Sequence, residues 1–374
     1  MSTHTPLPPT PAQTGGGRPR RRRWWLIALI SAAGVVIVGI AGIFFWQQQQ
    51  QTCSKASDPT QSGAVTEYCP ADPYGPFSGG GAMTVGADGN LWYTDGQQKV
   101  VRFTLPSGAV TEFGAPSSPN NIAYGALTRG TDGNLWYVAN YTLGRISMNG
   151  QYKEFDLPKD KGFVAAIATG PGGALWVTMG NGTLLKGAIP SDPAQAPTLT
   201  EVALPTNAWQ GYMATGPDGS LWMAGVNAFT RITPAGAITR FPVTIPGPAP
   251  SCGAGCKSVM GLTVGPDGAM WFADGWGHIG RINSTGTTTF FRVADQLMVG
   301  PIPMGAGPDG NVWFSLDGNS IQRITPAGAV TKFSLPHTGG HISGITHGPD
   351  GGVWFMLGFS NAFQPSSRIV RITP

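Results

Sequence analysis

The sequence predicts an all-β protein: a seven-bladed β-propeller whose N-terminal strand completes the last blade, preceded by a single transmembrane helix. Three observations lead there. A turn-plus-tryptophan motif recurs seven times. The strand missing from the last repeat reappears ahead of the first. An uncharged stretch of 23 residues follows a run of arginines.

Residues 1–23 read as a disordered, basic, cytoplasmic tail, rich in Pro, Thr and Gly and without apolar periodicity. Arg18 and Arg20–Arg23 supply five of the chain's cations, so the remainder is close to neutral although the whole carries +4. No basic stripe of the kind nucleic-acid binders use follows, and no nucleic-acid partner is expected. Trp24–Trp46 is long enough to span the ~30 Å hydrocarbon core as a helix. Trp24, Trp25 and Trp46 stand where aromatic rings favour the membrane interface. The arginines should stay in the cytoplasm, which makes 24–46 a signal anchor in the cell membrane with the propeller outside. A cleaved signal peptide is the alternative; the apolar stretch exceeds the usual ~7–15 residues, and no small-x-small site follows. Residues 47–61 read as a linker and 62–374 as the propeller.

The repeat begins with Gly86-Ala-Asp-Gly-Asn-Leu-Trp92 and returns at Trp136, Trp176, Trp222, Trp271, Trp313 and Trp354, at spacings of 40 to 49 residues. Each repeat reads as four short strands, a to d. Strand a is small and apolar, as in Gly261-Leu-Thr-Val. Gly-Pro-Asp-Gly makes a tight turn, because Pro presets φ and Gly accepts the last position. Strand b is the Leu-Trp-Phe run, rich in β formers. Strand c is of the type Arg323-Ile-Thr-Pro, and strand d, such as Gly328-Ala-Val-Thr-Lys-Phe, alternates apolar and polar. Four-stranded units of this length, repeated radially, are propeller blades, and the seven tryptophans are expected to pack between them. The last repeat stops after strand c, at Pro374. Ser62-Gly-Ala-Val-Thr-Glu-Tyr68 nearly repeats Ser107-Gly-Ala-Val-Thr-Glu-Phe113, so it supplies the missing strand d and closes the ring. Closure removes exposed sheet edges, and a monomer is expected.

All four cysteines follow the anchor, on the side where disulfides persist. Of the three pairings, Cys252–Cys256 and Cys53–Cys69 are favoured. The a–b and c–d turns share one end of the ring and are short. The d–a and b–c loops share the other and vary, as functional loops on a rigid scaffold do. That loop-rich end should carry Tyr124, Trp209, Tyr212 and Trp276, together with Phe163, Phe359 and Phe363. Such aromatics suit a small molecule, a glycan or a peptide. Asp95 and Asp274 fall at the same end and are candidates for binding, with a cation among the possibilities. His278 reads as a solvated loop residue, His337 as a loop position, and His347 as lying beside Gly348 on the short-turn end, away from the expected site. No nucleophile elbow, phosphate loop or nucleotide fingerprint is present.

The repeat Gly-Pro-Asp-Gly-x-Leu-Trp-Phe, with Arg-Ile-Thr-Pro-x-Gly-x-Val-Thr behind it, resembles that of the streptogramin B lyases, also called virginiamycin B lyases, over residues 62–374. The resemblance implies a propeller that opens a cyclic depsipeptide by Mg²⁺-assisted elimination at its ester. In that family catalytic histidines begin strand a, and a metal-linked Glu lies four residues after the strand b Trp. The matching strand a positions here are Gly81, Gly125, Ala165, Gly211, Met260, Ile302 and Ser343, with His341 two residues ahead of the last. Of the positions four after each Trp, Asp317 alone is acidic. His341 is therefore the candidate catalytic residue and Asp317 the candidate metal ligand. The expected function is a surface module binding a glycan, peptide or protein. The alternative is a divergent Mg²⁺-dependent carbon–oxygen lyase or a lactonase-like hydrolase.

Overall fold

The computed structural model describes residues 62–69, 81–94, 99–114, 122–139, 141–205, 211–225, 227–247, 259–295, 300–336, 340–359 and 368–374. The expected tail, anchor and linker lie outside them. Among the described residues no helix is long and apolar enough to cross a membrane. All of the described residues fall within one compact unit, Cys53–Pro374.

Seven four-stranded antiparallel sheets make seven blades. Blade 1 is Met83–Val85, Leu91–Thr94, Lys99–Thr104 and Ala109–Gly114. Blade 2 is Ile122–Arg129, Leu135–Ala139, Thr142–Ile146 and Tyr152–Asp156. Blade 3 is Val164–Thr169, Leu175–Met179, Leu184–Gly187 and Leu199–Val202. Blade 4 is Met213–Thr215, Leu221–Gly225, Ala228–Ile232 and Ile238–Pro242. Blade 5 is Val259–Val264, Met270–Asp274, His278–Ile282 and Thr288–Arg292. Blade 6 is Met304–Ala306, Val312–Phe314, Ser320–Ile324 and Val330–Ser334. Blade 7 is Gly340–His347, Val353–Phe359 and Arg368–Ile372, completed by Val65–Tyr68. Strand a of each blade touches strand a of the next, and that of blade 7 touches that of blade 1. The ring is closed.

The sequence motif earns its place through one side-chain unit. In blade 6 the turn residue Asp309 accepts from the Trp313 indole N–H at 3.1 Å and from the Asn311 amide at 3.3 Å. Its other oxygen takes Arg323 from strand c at 3.1 Å, and that guanidinium lies over the Trp313 ring. Phe333 of strand d stacks on the same indole at 5.3 Å. The indole donor is buried, so it needs this partner. The turn aspartate pairs with a strand c arginine in blades 2, 4, 5, 6 and 7. Blade 3 departs from the pattern. It has Gly172 for the aspartate, Lys186 for the arginine and Val202 for the aromatic residue.

All seven tryptophans are almost completely buried, and they join neighbouring blades as expected. Trp92 of blade 1 packs with Leu135, Tyr137 and Ile146 of blade 2. Trp222 of blade 4 packs with Met270 and Phe272 of blade 5. Strand d aromatics also lock neighbouring blades together, at Gly63, Gly108, Gly150, Gly286 and Gly328. A Cβ on Gly286, in the c–d turn of blade 5, would stand 2.3 Å from Phe241 of blade 4. Only glycine admits that ring, and its φ of 90° requires glycine as well.

Ring closure uses the strand read from the sequence. Val65 pairs with Ile372 and Tyr68 with Ile369. Tyr68 takes the strand d aromatic role, stacking on Trp354 at 5.5 Å. Glu67 and Arg368 form an ion pair across the seam, with side chains only 3% and 9% exposed. Cys69, the next residue but one, is disulfide-bonded. Cys53, Cys252 and Cys256 lie outside the described residues.

Two outcomes are expected. Replacing one partner of a buried ion pair strands the other charge, so Glu67→Ala should cost about 3–5 kcal/mol in a urea titration. Acid should act through the turn aspartates. Burial tends to raise the pKa of Asp218, Asp309 and Asp350, but hydrogen bonds and the strand c arginines outweigh it and hold all three below the usual carboxylate range. Their stabilisation is complete above the unfolded value of about 3.9 and is lost as pH falls through the lower native values. The urea midpoint should therefore hold from pH 7 to pH 5 and drop below pH 4.

Candidate functional site

The first strands of the blades ring a central cavity of about 610 Å³, drawing residues from blades 1, 3, 4, 5, 6 and 7. Its wall is small or apolar: Gly81, Ala165, Gly211, Tyr212, Pro301 and Met304 are representative. Small residues recur because adjacent first strands run close together. A Cβ on Gly261 would lie 2.2 Å from the Ile302 carbonyl oxygen of the next blade. Five of the seven strand a positions aligned from the sequence, Gly81, Ala165, Gly211, Ile302 and Ser343, line the cavity.

His341 also lines it. A β-bulge helps to put it there. In blade 7 Thr346 faces Trp354 while Ser343 faces Met356, so three steps on strand a match two on strand b. Gly344, at φ 59°, takes the strain of the bulge. The extra residue cancels one of the two places by which His341 precedes Ser343, and His341 pairs with Gly358. Burial lowers its pKa, so the imidazole is neutral at pH 7 and has a nitrogen free to accept a proton.

The loop bearing Asp317 lies against the strand bearing His341. A Cβ on Gly318 would meet the Gly340 carbonyl oxygen at 1.9 Å and the His341 Cα at 3.5 Å. The Asp317 carboxylate, however, holds its own loop. One oxygen accepts from the amides of Asn319 and Ser320 and from the Ser320 hydroxyl at 2.8 Å. The other takes Lys332 of strand d at 3.1 Å. Burial raises its pKa and these bonds outweigh that, leaving it below the usual range. Sequence reasoning missed Lys332, fifteen residues away, because it faces Asp317 only once strands c and d pair.

Asp274 and His278 correct the sequence reading. His278 is 6% exposed, so it is not a solvated loop residue, and Asp274, read as a binding candidate, is completely buried. The carboxylate accepts from the amides of Trp276 and His278 and meets His278 Nδ1 at 2.9 Å. The pair braces the b–c turn of blade 5, and Asp274 is not in the cavity wall. Trp276 is half-buried among the blade 4–5 core residues and lies over Gly247. Tyr212 is half-buried in the same cluster and also lines the cavity, where burial raises its pKa. Phe163 is 59% exposed on the loop-rich end, its ring against Gly180. Trp209, Asp95, His337 and Phe363 lie outside the described residues, as do the side chains of Tyr124 and Phe359.

A family model described as the virginiamycin B lyase family matches residues 43–250 and again residues 199–373. The chain belongs to the virginiamycin B lyase family. Its structure is similar to a streptogramin B lyase structure, with 25% identity and a TM-score of 0.66 over 83% of this chain and 97% of that one. It is equally similar to a catalytically inactive histidine-to-alanine variant of virginiamycin B lyase from Staphylococcus aureus with quinupristin, at 27% identity and TM-score 0.66. That match covers 82% of this chain and 99% of the other. No curated protein sequence matches the chain.

The described donors do not suit the family's magnesium. Mg²⁺ requires near-octahedral oxygen ligation. Among the described residues no three His, Cys, Asp or Glu side chains converge, and Asp317 is held by Lys332 and Ser320. Gly318 offers a direct handle on the mouth. Gly318→Ala must push the blade 6 loop off Gly340 and adopt a strained φ of 64°. It should lower stability by about 1–3 kcal/mol in urea and shift the His341 imidazole resonances.

Proposed function

We propose that this virginiamycin B lyase family member is a binding propeller, held outside the cell by an N-terminal anchor, that receives a compact peptide, glycan or other small ligand in the channel mouth. The observation that carries the reading is the cavity itself. Its volume of about 610 Å³ is in the range of small-molecule sites, and its wall combines apolar side chains with polar surface that includes Tyr212, His341 and Ser343. Tyr212 supplies an amphipathic ring and His341 a neutral imidazole. Support for the anchor is the arginine run followed by Trp24–Trp46. The structure with quinupristin shows only that a related propeller was studied with such a ligand.

One observation favours catalysis as a second reading: His341 reaches the cavity as a neutral base. In an elimination it would take the proton from the carbon next to the one that bears the ester oxygen; that C–O bond breaks, a double bond forms between the two carbons and the acyl part departs as a carboxylate. Family membership supports that chemistry, and the donor set around Asp317 does not supply its metal.

One experiment separates the two. The full chain in detergent is titrated with quinupristin by calorimetry, and the products are followed by chromatography with and without Mg²⁺. The binding reading expects uptake without a linear product, weakened roughly tenfold by Tyr212→Ala. A linear product that disappears in His341→Ala establishes the lyase instead. Neither uptake nor turnover, across cyclic peptides and oligosaccharides, sinks both. For the anchor, protease added to intact cells should degrade the propeller; protection would overturn the outward orientation.

A further inference from the structure

Blade 3 breaks the repeat at four points, all at the short-turn end or on the Trp176 ring. The aspartate position is Gly172, where an added Cβ would meet nothing within 4 Å. The Trp176 indole N–H, an Asp-bonded donor in blades 1, 2, 5, 6 and 7, is buried without a hydrogen-bond partner. The strand c cation is Lys186, whose ammonium lies 5.1 Å from the centre of the Trp176 ring and joins no ion pair among the described residues. The strand d aromatic is Val202, opposite Leu184. Gly236 of blade 4, the counterpart of the glycines that clasp a strand d ring elsewhere, has nothing within 4 Å of its Cβ position. Beside these, the c–d connection runs from Gly187 to Leu199 instead of the short turn of other blades, and its residues 191–196 are exposed.

We propose that blade 3 is a recognition site for a carboxylate carried on an apolar, preferably aromatic, body. In the other blades the chain itself supplies both groups: the turn aspartate and the strand d ring. Blade 3 keeps the receiving groups and lacks both donated ones. The Trp176 indole N–H, the Ala174 amide and the Lys186 ammonium stand where six amides and five cations meet aspartates elsewhere. A buried indole donor without an acceptor costs free energy, which a bound carboxylate would recover. Entry requires the Pro171–Gly173 turn to swing aside. Its two glycines, both at φ 71°, can adopt the conformation of the other six turns, in which one left-handed glycine suffices. This site lies on the end of the ring opposite the channel mouth and does not depend on the function proposed there.

The test is thermal unfolding of the full chain at pH 7 in sodium phenylacetate, sodium acetate and sodium chloride at equal ionic strength. The Trp176 indole N–H resonance is read alongside, assigned with Trp176→Phe. Phenylacetate at about tenfold its dissociation constant should raise the midpoint by about 3 °C and move that resonance, with acetate weaker and chloride inert. Gly172→Asp should abolish both responses by supplying an internal carboxylate, and Lys186→Met should weaken them at least tenfold. A blocked Phe-Asp dipeptide distinguishes a docked protein segment, which it would mimic, from a free acid. Equal responses in the parent chain and Gly172→Asp mean a general salt effect and overturn the proposal, as does an unmoved Trp176 resonance. If Gly172→Asp fails to fold, Lys186→Met decides.

Discussion

The contact on which the molecule depends is the bond between a turn aspartate and a buried indole. Tryptophan is the largest apolar side chain available to fill the wedge between blades, and it brings one donor that is costly to leave unsatisfied. The aspartate two residues before the end of the a–b turn meets that need. It also pins the turn and pulls in a strand c arginine, which then covers the ring. Asp309, Trp313 and Arg323 show the whole unit in blade 6. A single motif of seven residues therefore sets the turn, the core and the approach of the third strand together.

Repetition of that unit leaves the chain with a seam, and the seam is closed by the same physics. Tyr68 occupies the aromatic position over Trp354, and Glu67 meets Arg368 in a buried pair across the joint. Once closed, the ring brings small residues of the first strands to the axis, where backbones from neighbouring blades nearly touch. The cavity is what remains between them. Its chemistry is set by the few polar side chains that the first strands present there, and His341, on the bulged first strand of blade 7, is the clearest example.

Blade 3 shows the unit by exception. With Gly172, Lys186 and Val202 in place of Asp, Arg and an aromatic residue, it still folds as four paired strands. Backbone pairing and the contacts of its neighbours are enough to build a blade. What the side-chain unit adds is satisfaction of the indole and a lock to the next blade.

The seven blades, their order and the closing strand were all legible in the sequence, because each rests on local turn chemistry and on short-range periodicity. Gly-Pro-Asp-Gly dictates a turn wherever it occurs, and Ser62–Tyr68 could be recognised as strand d from its likeness to Ser107–Phe113. The site was legible only in outline. His341 and Tyr212 were named and do reach the cavity. Asp274 and Asp317 were named for chemistry and His278 as a solvated loop residue, yet all three brace loops, since their partners are fixed by burial and by pairing between strands. Lys332 reaches Asp317 from another strand, and the buried Asp274 carboxylate closes on His278 only when the turn forms. Sequence determines what is local and repeated. The tertiary structure decided which polar groups are left to face a ligand, because that depends on which partners the closed ring brings within hydrogen-bonding distance.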